Sequence, residues 1–284
     1  MNQGYSIGRV YSRAWAQLKW NFWPVLGFVA IAYIAGSTIS SLLTLPFSAG
    51  MAALSLPIEG AKVLPDPTAI FRSPAFLGVI AVSGLLSLLN FAALYGGGFH
   101  AYATLREGQK VDIGDLFPAA LRKMLPLMGV LLIGTLGTLL GYALLIIPGI
   151  ILALLWSVAM PALVAENLGV VDSLKRSAAL TKGCKRWIFL TYLVLMAAII
   201  GIYLLIVAVV VAIFAGVVAS AGSGTPNAGL IIVGVILAII AVFALLVGVL
   251  VFLMYFMSLK ASIYRETRLV HEGVAGHGLQ DVFQ

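Results

Sequence analysis

Three histidines, one cysteine and 10 Asp and Glu residues are the side chains of this 284-residue chain best suited to metal binding and to acid–base chemistry near neutral pH. A metal site needs several such groups at fixed spacing, and a phosphate loop needs glycines ahead of a lysine. The chain contains no H-E-x-x-H, no C-x-x-C and no G-x-x-x-x-G-K-[ST]. His271 and His277 stand in a tail whose glycines fix no ligand geometry. His100 follows Gly96-Gly97-Gly98 near the end of an apolar run, where a packed or hydrogen-bonded imidazole is expected. The lone cysteine, Cys184, excludes a disulfide scaffold. The expectation is a chain with no catalytic residues, no bound metal and no cofactor. What remains polar inside apolar sequence is a set of hydroxyls and one amide. Ser37, Ser41 and Thr44 recur at i, i+4, i+7, and so do Ser83, Ser87 and Asn90. With His100 they are the candidates for hydrogen bonds between helices or for a polar path.

These side chains belong to a chain that water does not suit. Hydrophobic residues make up 62%, charged residues 10%, and the mean hydropathy is +1.11. A soluble domain carries about a quarter charged residues, so the chain is read as an integral membrane protein. Apolar runs of the required length of about 20 residues extend from Phe22 to Leu45, Ala75 to Ala103, Trp187 to Ala219 and Ala228 to Leu259. A further run from Met124 to Glu166 would be about 64 Å as one helix, enough for two crossings. Pro148-Gly149 is the expected tip between them. The total is six transmembrane helices with no Asp, Glu, Lys or Arg inside them. Ion-coupled transporters keep ionisable residues at that depth. Residues 46–73, with Pro46, Pro57, Pro65 and Pro67, are expected to form a long outer loop whose first part, Phe47 to Ile58, lies on or in the membrane surface.

The charges set the direction. The chain holds 17 Lys and Arg against 10 Asp and Glu, a net charge of +7. All but Lys62 and Arg72 of those 17 fall before the first span, between the second and third, between the fourth and fifth, or after the sixth. Basic residues collect on the cytoplasmic side, so both termini are expected there.

The basic segments resemble one another. Ile7, Val10, Tyr11, Ala14, Trp15 and Leu18 have the same spacing as Ile113, Leu116, Phe117, Ala120, Leu121 and Met124, each an apolar helix face. Ser6 and Asp112 or Gly114 are candidate caps. A poorer third copy starts at Asp172 and carries Lys175 and Lys182 where the others are apolar. The chain is therefore read as one membrane domain over 1–284. It consists of three parallel repeats of amphipathic helix plus transmembrane hairpin, about 6–108, 109–169 and 170–273, with a tail at 274–284. Gly137-x-x-x-Gly141 permits close approach of two helices.

Trp15, Trp20, Trp23 and Trp187 cluster where the chain enters the bilayer, as indole rings at headgroup level do. Beside them Arg9, Arg13, Lys19, Arg122, Lys123, Lys175, Arg176, Lys182, Lys185 and Arg186 are candidate contacts to anionic lipid headgroups.

Ile147-Pro148-Gly149-Ile150, then Pro161 and Glu166, then Ser173-Leu-Lys-Arg-Ser177 and Leu180-Thr-Lys-Gly183 form a recognisable series. With the Tyr264-x-x-x-Arg268 ending of the last span, it resembles the six-span membrane domain attached to some glycerophosphoryl diester phosphodiesterases and its stand-alone bacterial relatives. The resemblance implies a multi-pass inner-membrane protein. In the fused enzymes the phosphodiester chemistry belongs to a separate soluble domain, for which the roughly 25 residues after the last span leave no room, so no activity is carried over. The expected function is a non-enzymatic protein that engages anionic membrane lipids or an unidentified protein partner, and no nucleic acid. The alternative is a transporter or permease component for a lipid-like or hydrophobic solute, since parallel repeats can enclose a groove.

Overall fold

The computed structural model describes residues 4–55, 74–104, 109–221 and 228–273. Their regular structure is helical throughout, because backbone in hydrocarbon must satisfy its own polar groups and a helix does so within one segment. The helices are α1 (Ile7–Trp20), α2 (Phe22–Ser55), α3 (Pro74–Phe99) running into a π-helical turn at His100–Thr104, and α4 (Ile113–Leu144). They continue with α5 (Ile146–Leu155), α6 (Ala159–Glu166), α7 (Val170–Thr181), α8 (Lys185–Ala221) and α9 (Ala228–Glu272). Among the described residues six stretches are long and apolar enough to cross a membrane: Phe22–Pro46, Phe76–Thr104, Ile113–Leu144, Ile146–Glu166, Lys185–Ala208 and Phe243–Glu272. Residues 56–73, where most of the outer loop was expected, and residues 105–108, 222–227 and 274–284, His277 included, lie outside the described residues.

Four boundaries differ from the sequence reading. First, α2 runs on through Pro46 to Ser55. Proline removes one donor, but Met51-Ala52-Ala53-Leu54 beyond it favour helix, so the start of the expected outer loop is helical. Second, the chain turns between α4 and α5 at Leu145, whose extended backbone (φ −164°, ψ 151°) breaks the helix. Pro148 and Gly149 instead lie in the first turns of α5. Proline fits an opening turn because the N–H it lacks has no partner there. Third, the fourth span is interrupted over Trp156–Val158, between α5 and α6. Fourth, α9 continues without a break past Leu259 to Glu272.

The repeats are also less regular than the matched spacings imply. The first and third amphipathic segments are separate helices, α1 and α7, but the second is the opening of α4. The junctions explain this. Asn21 ends α1, and Gly183, with φ +81°, separates α7 from α8. Ala119 to Leu125 supplies no comparable turn residue, so the helix continues. The caps shift too: Gly169, not Asp172, precedes α7, with Asp172 in its first turn. Asn167, at φ 55°, closes α6 in the left-handed conformation, which asparagine tolerates.

Glycine permits close packing in α3 and between α4 and α5. Gly96, Gly97 and Gly98 are successive residues of α3, so they point in three directions about 100° apart. A β-carbon at Gly96 would lie 3.0 Å from the Ala120 Cα of α4, one at Gly97 would enter the Phe28 ring of α2, and one at Gly98 would enter Met257 of α9. The Gly137-x-x-x-Gly141 pair works within the chain. Gly137 makes room for the Trp156 ring, and a β-carbon at Gly141 would come within 2.9 Å of the Gly149 Cα, so α4 and α5 touch nearly backbone to backbone.

Candidate functional site

The buried core lies at the end of the bundle where α1, the π-turn, the start of α4, α6, α7 and the last turns of α9 meet. From Met257 to Thr267 every residue of α9 except Lys260 is buried. This stretch is a central post that the other elements surround. The apolar face of α1 packs on the post, and Ser258 Oγ donates to the Ala14 carbonyl at 2.8 Å. Val10, Ala14, Gln17 and Leu18 are the buried residues of α1, whereas Trp15 is half exposed.

Burying charge is costly unless it is paired and hydrogen-bonded, and the post carries Glu266 with a fully buried side chain. Its Oε1 accepts from the Ser6 amide at 3.0 Å and from Arg9 Nε and Nη2 at 3.1 and 2.6 Å. Its Oε2 accepts from Arg13 Nη1 at 3.2 Å. Arg9 and Arg13 stand at i and i+4, one face of α1, and Ser6 also caps that helix by accepting from the Arg9 amide at 3.4 Å. The bond to Glu266 holds the Arg9 guanidinium above its ordinary pKa against a smaller effect of burial.

A second cluster joins α6, α7 and α9. Arg176 Nε donates to Glu166 Oε2 at 2.8 Å, and its Nη2 pairs with Glu272. Arg268 Nε donates to Glu272 Oε2 at 2.9 Å and lies 3.8 Å from Glu166 Oε1, to which the Tyr264 hydroxyl donates at 2.7 Å. Burial works against the charge on Arg176, but hydrogen bonds to Glu166 and Glu272 outweigh it and raise its pKa.

Two polar groups repair irregular backbone. The α5–α6 break frees the Leu155 carbonyl, which accepts from Ser177 Oγ at 2.7 Å, and Ser177 Oγ in turn accepts from the Val158 amide at 3.3 Å. Asn21 does the same for the segment ahead of α4: its Oδ1 accepts from the Val111 amide at 3.0 Å and its Nδ2 donates to the Gln109 carbonyl at 3.3 Å.

The candidate headgroup contacts thus divide. Arg9, Arg13 and Arg176 are engaged by carboxylates, and Lys123 bonds the Asn167 side chain. Lys19, Arg122, Lys175, Lys182 and Arg186 are exposed, Lys185 is partly buried, and none of these six forms an ion pair among the described residues. Lys19 lies 5.2 Å from the Trp15 ring centroid and Arg186 5.5 Å from that of Trp187.

The hydroxyl candidates do not bridge helices. Ser37 donates to the Ile34 carbonyl, Thr44 to that of Ser40 and Ser83 to that of Val79, each within its own helix. Ser41 and Ser87 are exposed. Asn90 does meet another helix, because its amide packs on Gly36 of α2. His100, partly buried, opens the π-turn. Among the described residues no three His, Cys, Asp or Glu are grouped to hold a metal.

The sequence reading missed Glu266, Asn21 and Lys260. The Arg9–Arg13 pair on one helix face was the available signal for Glu266, since two such cations need a counter-charge. No curated protein and no solved structure matches the chain. A family model, described as the membrane domain of glycerophosphoryl diester phosphodiesterase, matches residues 101–272, from the π-turn to the end of α9. That span contains the whole second cluster, the Ser177 bridge and the post, and the chain belongs to this membrane-domain family.

Proposed function

We propose that the protein is a non-enzymatic inner-membrane component that engages anionic lipid at the cytoplasmic face through its basic helices. The observation that carries this reading is the division of the cations at the charged end. The arginines of the two clusters are consumed by Glu166, Glu266 and Glu272, while Lys19, Arg122, Lys175, Lys182 and Arg186 stay exposed and form no ion pair among the described residues. Trp15, Trp20, Trp23 and Trp187 are exposed at the same end, with fractions of 52%, 46%, 77% and 39%. Indoles beside lysines suit a headgroup layer, where each basic residue contributes about 1 kcal/mol towards an anionic surface.

The test replaces Lys19, Arg122, Lys175, Lys182 and Arg186 together with Gln and quantifies the phospholipid that co-purifies in mild detergent. Anionic lipid falls and zwitterionic lipid does not, and added salt narrows the difference from the unaltered protein, because salt screens exposed charges. Unchanged anionic lipid would overturn the reading. The second reading, a component that passes a lipid-like solute, draws its support from the groove described next.

A further inference from the structure

A cavity of about 290 Å³ opens between α4 and the α5–α6 pair. On α4 its lining runs from Val130 to Tyr142, about 18 Å of helix, so the space is elongated along the bundle. Trp156 forms the facing wall, seated against α4 because Gly137 leaves room for the ring. Leu139 and Tyr142 are exposed as well as lining, so the space opens sideways onto the bundle's perimeter. At 290 Å³ it lies at the lower edge of the roughly 300–1,000 Å³ of small-molecule pockets, which suits one hydrocarbon chain and not a whole lipid.

Lys260 lines this cavity from the post, the one residue between Met257 and Thr267 that is not fully buried. It lies 4.9 Å from the Phe256 ring centroid and forms no ion pair among the described residues. A partly buried ammonium beside apolar walls calls for a counter-charge, and Glu166, Glu266 and Glu272 are committed to arginines. The missing anion and the apolar slot beside it describe one molecule. We infer that the groove seats one acyl chain of an anionic phospholipid whose phosphodiester meets the Lys260 ammonium. This rests on the lipid-engaging reading above and places a specific site within it.

The experiment uses the full chain in nanodiscs with phosphatidylglycerol carrying a photoreactive group in its acyl chain. Crosslinks are expected in peptides covering 130–142 and 153–160. Lys260→Met weakens them about fivefold, the size of one basic contact to an anionic lipid, Lys260→Arg restores them, and a phosphatidylcholine probe crosslinks no better than Lys260→Met. Leu139→Trp, which fills the slot and leaves Lys260 in place, also removes them; this guards against a Lys260→Met protein that fails to fold. Crosslinks of undiminished yield in Lys260→Met, or spread evenly over the perimeter, overturn the inference. Displacement by the water-soluble headgroup alone overturns it as well, since the anion would then not be a lipid. The fivefold Gln variant keeps these crosslinks while losing other anionic lipid. Loss of lipid there with no effect of Lys260→Met sinks the groove and leaves the broader reading standing.

Discussion

The charged end of the bundle and the stretches of α8 and α9 farther from it are both helical but pack in opposite ways. At the charged end Phe28, Phe99, Tyr102 and Tyr264 are fully buried, and so are Ser173, Ser177, Thr181, Ser258, Ser262, Glu266 and Thr267. Farther from it, in the middle stretches of α8 and α9, Ile202, Tyr203, Leu204, Leu205, Phe243 and Leu245 are each more than half exposed. In lipid, apolar surface gains nothing by meeting other apolar surface, because the tails are as apolar as leucine. Polar groups gain a great deal by meeting each other. The difference between the two regions therefore says that polar bonds and glycine-permitted contacts specify this fold, and that hydrophobicity places it in the membrane. The lengths agree: α8 has 37 residues and α9 has 45, about 55 and 67 Å, so both helices are longer than one hydrocarbon thickness of about 30 Å.

The comparison can be broken most easily at Glu266. Removing one partner of a buried ion pair costs about 3–5 kcal/mol. Arg9 reaches solvent with 40% of its side chain exposed, so Glu266→Ala is expected near the lower end, read as a lowered midpoint of thermal or detergent unfolding. An unchanged midpoint would mean the post is not held by its charges. Next come the glycines. Gly97→Ala drives a methyl into the buried Phe28 ring and is expected to cost about 1–3 kcal/mol, the range for overpacking. Gly201→Ala, with nothing within 4 Å, is neutral or gains up to about 1 kcal/mol of helix propensity. Equal effects at the two sites would erase the distinction between the two regions.

Asn21→Ala leaves the Val111 amide and the Gln109 carbonyl without their partner. A loss of about 1–2 kcal/mol follows, together with faster proteolysis ahead of α4; a silent substitution would reduce Asn21 to a mere turn residue. The smallest effect is chemical. Burial, and then the charge of Glu266, push the Cys184 thiol above its ordinary 9.0. The thiolate fraction at pH 8 is therefore below that of a free thiol. Alkylation should keep accelerating beyond pH 9, and Glu266→Gln should move the rise to lower pH. A plateau below pH 9 contradicts the buried placement.

Much of this was legible in the sequence for physical reasons. Six spans follow from hydropathy alone, because every apolar run long enough to cross must be helical. Ser6 was readable as a cap because its hydroxyl acts over three residues. What was not legible depends on partners distant in sequence. The apolar face of α1 was readable as a helix face with no partner assigned, and its partner proved to be α9, some 240 residues away. Helical periodicity is the same whether a face meets lipid or protein. Lys260 read as a flanking charge because composition says nothing of the cavity that α4 and α5 form beside it. The break at Trp156–Val158 was hidden because the residue that repairs it, Ser177, lies in another helix.

The central claim is that the arginines paired to Glu166, Glu266 and Glu272 hold the charged end together, while the exposed cations outside those pairs are the ones proposed to meet lipid. Two variants separate these roles in one paired measurement of unfolding midpoint and bound anionic lipid. Arg13→Gln with Arg176→Gln removes guanidiniums bonded to Glu266, Glu166 and Glu272. Lys19→Gln with Lys175→Gln and Lys182→Gln removes exposed cations that form no ion pair among the described residues. The account predicts a lowered midpoint with lipid retained in the first, and lipid lost with the midpoint retained in the second. Loss of both properties in both variants, or the opposite assignment, would contradict it.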